Sequence, residues 1–543
     1  MKRSIILVWV ILAVLSAQTE TRLGNVILQD VPGIPDSVIQ RTRQYQNVRS
    51  ASFASWDPGG EGMLIRTRFG ETVQIHHVVQ PMGFRQQLTF YDEPVGGGRF
   101  CPDPGRRGFL FTRDVGGSEF YQIFWFDLQR GTATLLTDGS SRNSLGPWSN
   151  SGKQFAFSSN VANGVDMNIY VRNLDEDSAR VVVHKPGYWI ALDWSPDDTK
   201  ILVMHYVSIN ESTLYSVDVE TGELTQIRPS EKRIGYGGAK FSRDGKGVFL
   251  TSDEDAEFKH LRYYDFETGA LSPISDHIPW DVTGFDLSDD GRYLAYVTNE
   301  DGISKLRLLD LRRGRNVTIP DLPVGRIGAV RFRYDSRYLA VALNTPQTPG
   351  DITVLDIRRK RFTPWTRSEV GGLDTDRFVV PELIHVETFD GLTLPGFLYT
   401  PPSPGPHPVV VYIHGGPESQ YVPYFSSTFQ YWIHELGLAV LAPNVRGSSG
   451  YGKSFVLLDN GYKREDTVRD IGAFLDWIET RSDLDSERIG LYGGSYGGYM
   501  VLAGMTHYND RIRAAVDIVG ISNFVTFLTN TKPYRRDLRR QEY

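Results

Sequence analysis

The stretch "LYGGSYGGYM", Leu491 to Met500, decides how the last third of this 543-residue chain is read. A short run of strand character, Ile489 to Tyr492, leads into a glycine-rich turn, and the apolar "YMVLAGM" beyond it continues as a helix. Inside the turn, Gly493-Gly494-Ser495-Tyr496-Gly497 is a G-x-S-x-G. The motif alone is weak, but strand, turn at serine and helix together form the setting of a nucleophile. Ser495 would sit at a helix N-terminus with its hydroxyl exposed. The Tyr496 N–H would point to where an oxyanion forms. Glycine is needed at 493 and 497 because such a turn brings backbone segments together.

Upstream of this turn, strand-like runs Leu394–Tyr399, Val409–Ile413 and Ala439–Ala442 alternate with helical patterns. One of these, Glu465 to Arg481, carries acids in its first turn, where a helix dipole favours them. "HGGP", His414 to Pro417, follows a strand and supplies a second oxyanion donor through Gly415 and Gly416; the alternative is a tight turn only. His414 lies in the loop that would serve the oxyanion, which argues against a role as base. "NVRGSSGYG", Asn444 to Gly452, has no G-K-[ST] at the spacing a phosphate loop needs, so it reads as lining of the site.

The middle of the chain is a repeat. An aromatic or apolar residue, a polar turn and an alternating strand recur at Trp56, Phe100, Trp148, Trp194, Phe241, Leu287 and Phe332, 44 to 48 residues apart. A second mark, such as "VDVETG" or "YDFETG", keeps the same period at Asp127, Asp218, Asp265, Asp310 and Asp356, with Asn173 in one slot. A period near 46 with four short strands per unit predicts a β-propeller of about seven blades. The boundaries read as a leader over 1–17, a propeller over 30–375 and a second domain over 381–543.

Composition narrows the function. A net charge of −7 and pI near 5.9 argue against nucleic-acid binding. Cys101 is the only cysteine, so no intramolecular disulfide forms. No metal cluster is apparent: the His76-His77 pair on a strand would face opposite sides, and no cofactor is expected. Lys2 and Arg3, an apolar run from Ile5 to Leu15 and small residues ending at Ala17 read as a secretory leader, too short to span a bilayer. The expectation is a periplasmic or secreted protein with no membrane span once the leader is cleaved.

Behind a propeller, HGGP, NVRGSSGYG and GGSYGGY in this order resemble the prolyl oligopeptidase family of serine peptidases, above all its dipeptidyl-peptidase and acylaminoacyl-peptidase branches. The resemblance implies an α/β-hydrolase domain under a propeller that admits only short peptides. It implies Ser495 as the acylated nucleophile, Tyr496 as oxyanion donor, and Tyr499 and Phe527 in an S1 pocket suited to Pro, Ala or another apolar residue. The acidic "DEDAE", Asp253 to Glu257, reads as loop charge rather than as recognition of a peptide N-terminus.

The fold orders its catalytic residues Ser, then acid, then His. After Ser495 there is one histidine, His507, 12 residues along the same helix, or roughly 18 Å. Proton transfer needs contact of about 3 Å. Asp510, Asp517 and Asp537 come too early in the fold for the acid. The sequence therefore reads as a fragment of an active peptidase with its acid and base strands beyond Tyr543. The competing readings are a naturally shortened, inactive relative, an esterase of the same fold and a non-catalytic propeller that binds partners.

Overall fold

The computed structural model describes residues 20–543 other than residue 61. The leader read over 1–17 lies outside the described residues. Seven four-stranded antiparallel sheets follow one another, from Ser52–Gln87 to Arg326–Pro364, and form a seven-bladed β-propeller. Both sequence marks have fixed places in it. The seven aromatic or apolar residues each end the innermost strand of a blade, and the five Asp residues each end the third strand. At Asp218 the carboxylate accepts from the N–H groups of Glu220 (3.1 Å) and Thr221 (2.9 Å), which shapes the turn into the outer strand. Gly222 completes that turn at φ 74°.

The inner strands are stapled blade to blade. The indole N–H groups of Trp56, Trp148 and Trp194 donate to the carbonyls of Arg331, Arg99 and Pro147 on neighbouring blades, at 3.0, 3.2 and 3.1 Å. Where the mark is Phe, its backbone N–H is held instead by a side chain of the preceding blade. Phe100 donates to Ser55 Oγ (3.0 Å), Phe241 to Asp193 Oδ2 (2.9 Å) and Phe332 to Asp286 Oδ2 (2.8 Å). Each blade's strands are consecutive in the chain, so no strand exchange closes the ring between the first blade and the last. Apolar contact does so, with Phe53, Trp56 and Ile65 packed against Ala340, Ile352 and Trp365, together with the Trp56–Arg331 bond and antiparallel pairing of Val48–Arg49 with Glu369–Val370. Cys101, 1% exposed, is a small buried group whose S–H donates to the Gly152 carbonyl.

The second unit is a six-stranded sheet in the order Glu382–Glu387, Thr393–Tyr399, Ala439–Pro443, His407–Ile413, Leu484–Gly494, Ile512–Ile518. Its first pairings are antiparallel and its last three parallel. Helices α4 (Arg464–Glu479) and α5 (Tyr496–His507) pack on it through Ile471, Phe474, Leu475, Met500 and Val501, all at most 1% exposed. The strand Ile512–Ile518 forms one edge, where Val516 and Ile518 are exposed. No helix among the described residues is long and apolar enough to cross a membrane.

Trp194 is 3% exposed, whereas the indole bond of Trp148 lies at the surface. Trp194→Phe removes a buried donor and strands the Pro147 carbonyl, at a cost of about 1–3 kcal/mol. Trp148→Phe is expected to cost less. Urea unfolding followed by far-UV circular dichroism compares the two; equal costs would contradict the stapling role.

Candidate active site

The residue at the turn is held in a conformation that side-chain-bearing residues avoid. Ser495 has φ 57° and ψ −119°, between the end of strand Leu484–Gly494 and the start of α5. It is exposed, in a neighbourhood of buried residues. A Cβ on Gly493 would lie 2.3 Å from the Gly497 carbonyl oxygen, and one on Gly497 would lie 2.2 Å from the Ile413 carbonyl oxygen. The motif therefore admits only glycine at these places.

The HGGP loop is brought against this turn by parallel pairing of His407–Ile413 with the serine strand. A Cβ on Gly415 would meet Ser495 Cβ at 3.4 Å and the Gly494 carbonyl oxygen at 2.8 Å. Gly416 turns the chain at φ 61°. The first N–H groups of α5, Tyr496 among them, have no acceptor within the helix. The start of α5 and the HGGP loop thus both lie against Ser495. His414 is 6% exposed and braces the loop. Its Nδ1–H donates to the Gly415 carbonyl (3.2 Å), and Nε2 accepts from the Ser448 hydroxyl (2.9 Å), which is shared with the Val445 carbonyl. Burial pushes the imidazole down to about 4, against the Gly415 bond, so the ring is neutral.

Tyr496 is fixed from behind by a buried acid. Its hydroxyl donates to both oxygens of Asp459 at 3.0 Å, and Thr467 Oγ1 donates to Asp459 Oδ1 at 2.5 Å. Arg464 Nη2 lies 3.9 Å from Asp459 Oδ2. Asp459, Tyr496, Thr467 and Arg464 are all at most 5% exposed. Burial pushes Asp459 up to about 6, with Arg464, Thr467 and Tyr496 pulling the other way. A Cβ on Gly447 would fall 2.3 Å from Asp459 Cβ, so this glycine of the 444–452 loop makes room for the acid. That loop backs the site rather than lining it alone, and it also faces the propeller. Gly450 abuts Asn299 and Gln420, and Gly452 abuts Glu257.

An aromatic cluster stands beside the serine. Tyr499 contacts Tyr496 at 5.5 Å and Phe524 at 4.9 Å between ring centroids, and Phe527 meets Tyr543 at 5.1 Å. Phe524 and Tyr543 join the two halves at 5.7 Å. The Arg464 guanidinium lies 4.9–5.1 Å from the rings of Tyr496, Phe524 and Tyr543. The structure thus places Ser495, Tyr496, Gly415, Gly416, Tyr499 and Phe527 in one region around the serine turn.

Sequence reasoning missed Asp459, Arg464, Phe524 and Tyr543. One signal was available for Arg464: a cation in the first turn of a helix opposes the helix dipole. His507 ends α5 half-exposed, 3.6 Å from Glu465 and away from the serine turn. Asp253 and Glu257 of the acidic stretch are bound to the hydrolase unit. Lys453 Nζ lies 3.2 Å from Asp253 Oδ1, and the Ser454 N–H and hydroxyl donate to Glu257 Oε2 at 2.9 and 2.8 Å. A cavity of about 310 Å³ has walls from both units, among them Tyr206, Glu418, Arg539 and Glu542. Glu418 is pushed up to about 7 there, by burial and by Glu542.

The pattern of the prolyl oligopeptidase family matches residues 423–542. Dipeptidyl-peptidase 5 of Porphyromonas gingivalis is 23% identical over 502 residues, which cover 89% of this chain and 71% of that protein. Dipeptidyl aminopeptidase BIII of Pseudoxanthomonas mexicana is 33% identical over 160 residues, 28% of this chain and 23% of that protein. Among solved structures, a prolyl endopeptidase superposes with a TM-score of 0.80 at 16% identity, over 94% of this chain and 78% of its own. A puromycin hydrolase superposes at 0.78 and 16%, over 92% and 81%.

Two outcomes follow from the buried groups. Asp459→Ala leaves the Arg464 cation without its counter-ion and two hydroxyls without their acceptor, and is expected to cost about 3–5 kcal/mol in a thermal or urea melt; a loss under 1 kcal/mol would contradict the bracing. For His414 the folded pKa lies below the unfolded value near 6.5, so its contribution is present above that value and is lost as pH falls towards 4. The stability difference between wild type and His414→Asn is expected to shrink by about 3 kcal/mol across that window. A difference independent of pH would rule out a neutral buried ring.

Proposed function

We propose that this chain, whose residues 423–542 match the pattern of the prolyl oligopeptidase family, is a serine peptidase of short peptides, with Ser495 as the acylated nucleophile. One observation carries this reading: an exposed serine in a strained strand-to-helix turn with the Gly415 backbone packed against it. Ser495 Oγ attacks the carbonyl carbon of the scissile bond, and its proton leaves with the amine. The resulting ester is hydrolysed by water, which restores the serine. The oxyanion formed at each addition is held by backbone N–H groups of Tyr496 and of the Gly415–Gly416 turn. Both additions need a base in hydrogen-bond reach of Ser495 Oγ, and His507 does not meet that requirement.

Tyr499, Phe524, Phe527 and Tyr543 form the pocket for the side chain on the acyl side of the cleaved bond. Rings and a single delocalised cation favour Pro, Ala or another apolar residue there. The propeller caps the site and limits access to short chains, and the contacts of Asp253 and Glu257 with Lys453 and Ser454 hold it in place. Two relatives named as dipeptidyl peptidases accord with this size class. The basic leader followed by an apolar run supports action in the periplasm or outside the cell.

The full-length protein is expected to react covalently with a fluorophosphonate at Ser495, read by peptide mass spectrometry, and Ser495→Ala to abolish the adduct. Chromogenic peptides with Pro or Ala on the acyl side should show kcat/KM at least about ten-fold above those with Asp or Lys. Phe527→Ala should narrow that gap. No adduct would overturn the peptidase reading. Turnover of p-nitrophenyl esters with every peptide untouched would turn it into an esterase.

A further inference from the structure

The residue before each inner-strand mark occupies the same register position in all seven blades, facing the central channel. Read round the ring, these are Ser55, Arg99, Pro147, Asp193, Lys240, Asp286 and Arg331. Charge balance along them is uneven. Lys240 Nζ pairs with Asp286 Oδ1 at 2.9 Å, and Asp193 is occupied by the Phe241 N–H beside that pair. That half of the ring carries two carboxylates and one ammonium, whereas the other carries two guanidinium groups and no carboxylate. Arg99 Nη1 donates to the Gly146 carbonyl (2.6 Å) and Arg331 Nη1 to the Val330 carbonyl (2.8 Å). Among the described residues neither guanidinium has a carboxylate in salt-bridge contact.

The two arginines flank Ser55, since the last blade and the second blade both neighbour the first. Ser55 Oγ accepts from the Phe100 N–H, which leaves its own O–H to donate inward. Enclosure in the channel pulls the Arg99 guanidinium down to about 10, and the nearby Arg331 adds to that fall. A cavity of about 250 Å³ runs along the inner strands from Lys240 to Arg331, past Gly238, Gly284 and Gly328, and so reaches the ring on the Arg331 side.

We propose that Ser55, Arg99 and Arg331 form an oxyanion site in the propeller channel, astride the seam between the first and last blades, that takes phosphate or a carboxylate. Two guanidinium forks and a hydroxyl are the donors such a group uses, and planar forks suit both classes. The anion relieves the repulsion between the two cations. It also ties blades one, two and seven together, across the seam where the first and last blades of the ring meet. Asp286, which burial pushes up and Lys240 and then Arg331 pull down, limits the site to the Ser55 side. The site is separate from Ser495 and does not depend on the peptidase reading.

Isothermal titration of the full protein with inorganic phosphate, and separately with acetate, at ionic strength held constant with sodium chloride, tests it. A saturable isotherm is expected with at least one of the two, together with a matching rise in melting temperature. Arg99→Met and Arg331→Met should each weaken binding at least ten-fold, and Arg99→Lys, which keeps the charge but loses the fork, should weaken it less. Phosphate alone binding would mark an inorganic ligand, and acetate alone or both a carboxylate-accepting site. No saturable binding to the wild type, or equal binding by wild type and both Met variants, would overturn the proposal. Should a Met variant fail to fold, Arg99→Lys and the wild-type isotherm decide.

Discussion

The constraint on which the site depends is the close approach of three backbone segments at Ser495. The serine turn, the start of α5 and the HGGP loop meet at separations that leave no room for a Cβ on Gly493, Gly497 or, against the Gly494 carbonyl, Gly415. A positive φ at a non-glycine residue costs of order 1–3 kcal/mol and persists only where its surroundings over-determine it. Here the surroundings are identifiable. The serine strand is paired on both sides in parallel register, and the Ser495 N–H donates to the Ile518 carbonyl at 2.9 Å. Asp459 clamps the following side chain from below. Strain at one residue is thus offset by contacts spread over four segments, and its product is a hydroxyl that stands clear of the sheet.

The propeller meets a different constraint, that of closing a ring of like units. A blade cannot bury both of its faces alone, so each must pack on its neighbours. The inner strands add directional bonds to that packing, with Trp donating to a carbonyl or a side chain capturing the next blade's N–H. These bonds tolerate Ser or Asp as acceptor, and Trp or Phe as mark. That tolerance explains why the repeat is recognisable by period and class of residue and not by identity.

This difference also decides what could be read from the sequence. The blades were legible because each mark performs its role within one unit or between consecutive ones, at a constant spacing. The serine turn was legible for a similar reason: its glycines, nucleophile and first donor are contiguous, and HGGP is a compact loop after a strand. Asp459 and Arg464 were not legible, because their partner Tyr496 lies more than thirty residues away and a buried acid in a short 3-10 turn has no local signature. Phe524 and Tyr543 were missed because contact with Tyr499 and Phe527 arises only when α6 (Phe524–Asn530) and α7 (Pro533–Glu542) fold back over α5. The acidic stretch Asp253–Glu257 was read as loop charge, yet two of its members dock the propeller on the hydrolase unit, a pairing set by tertiary placement.

The same docking makes the two units act on one space. Tyr206 comes from the propeller, Glu418 follows the HGGP loop, and Arg539 and Glu542 belong to α7, so the cavity beside the serine has walls from both. On the far side of that space, Arg535 pairs with Glu119 and the Tyr534 ring stacks under Arg142, 4.9 Å from its centroid. Contacts at Lys453 and Ser454 and contacts at Tyr534 and Arg535 thus both join the two units. The strained turn at Ser495 is held from within its own unit, because its supporting bonds run to Ile518 and, through Tyr496, to Asp459, and none of them reaches the propeller.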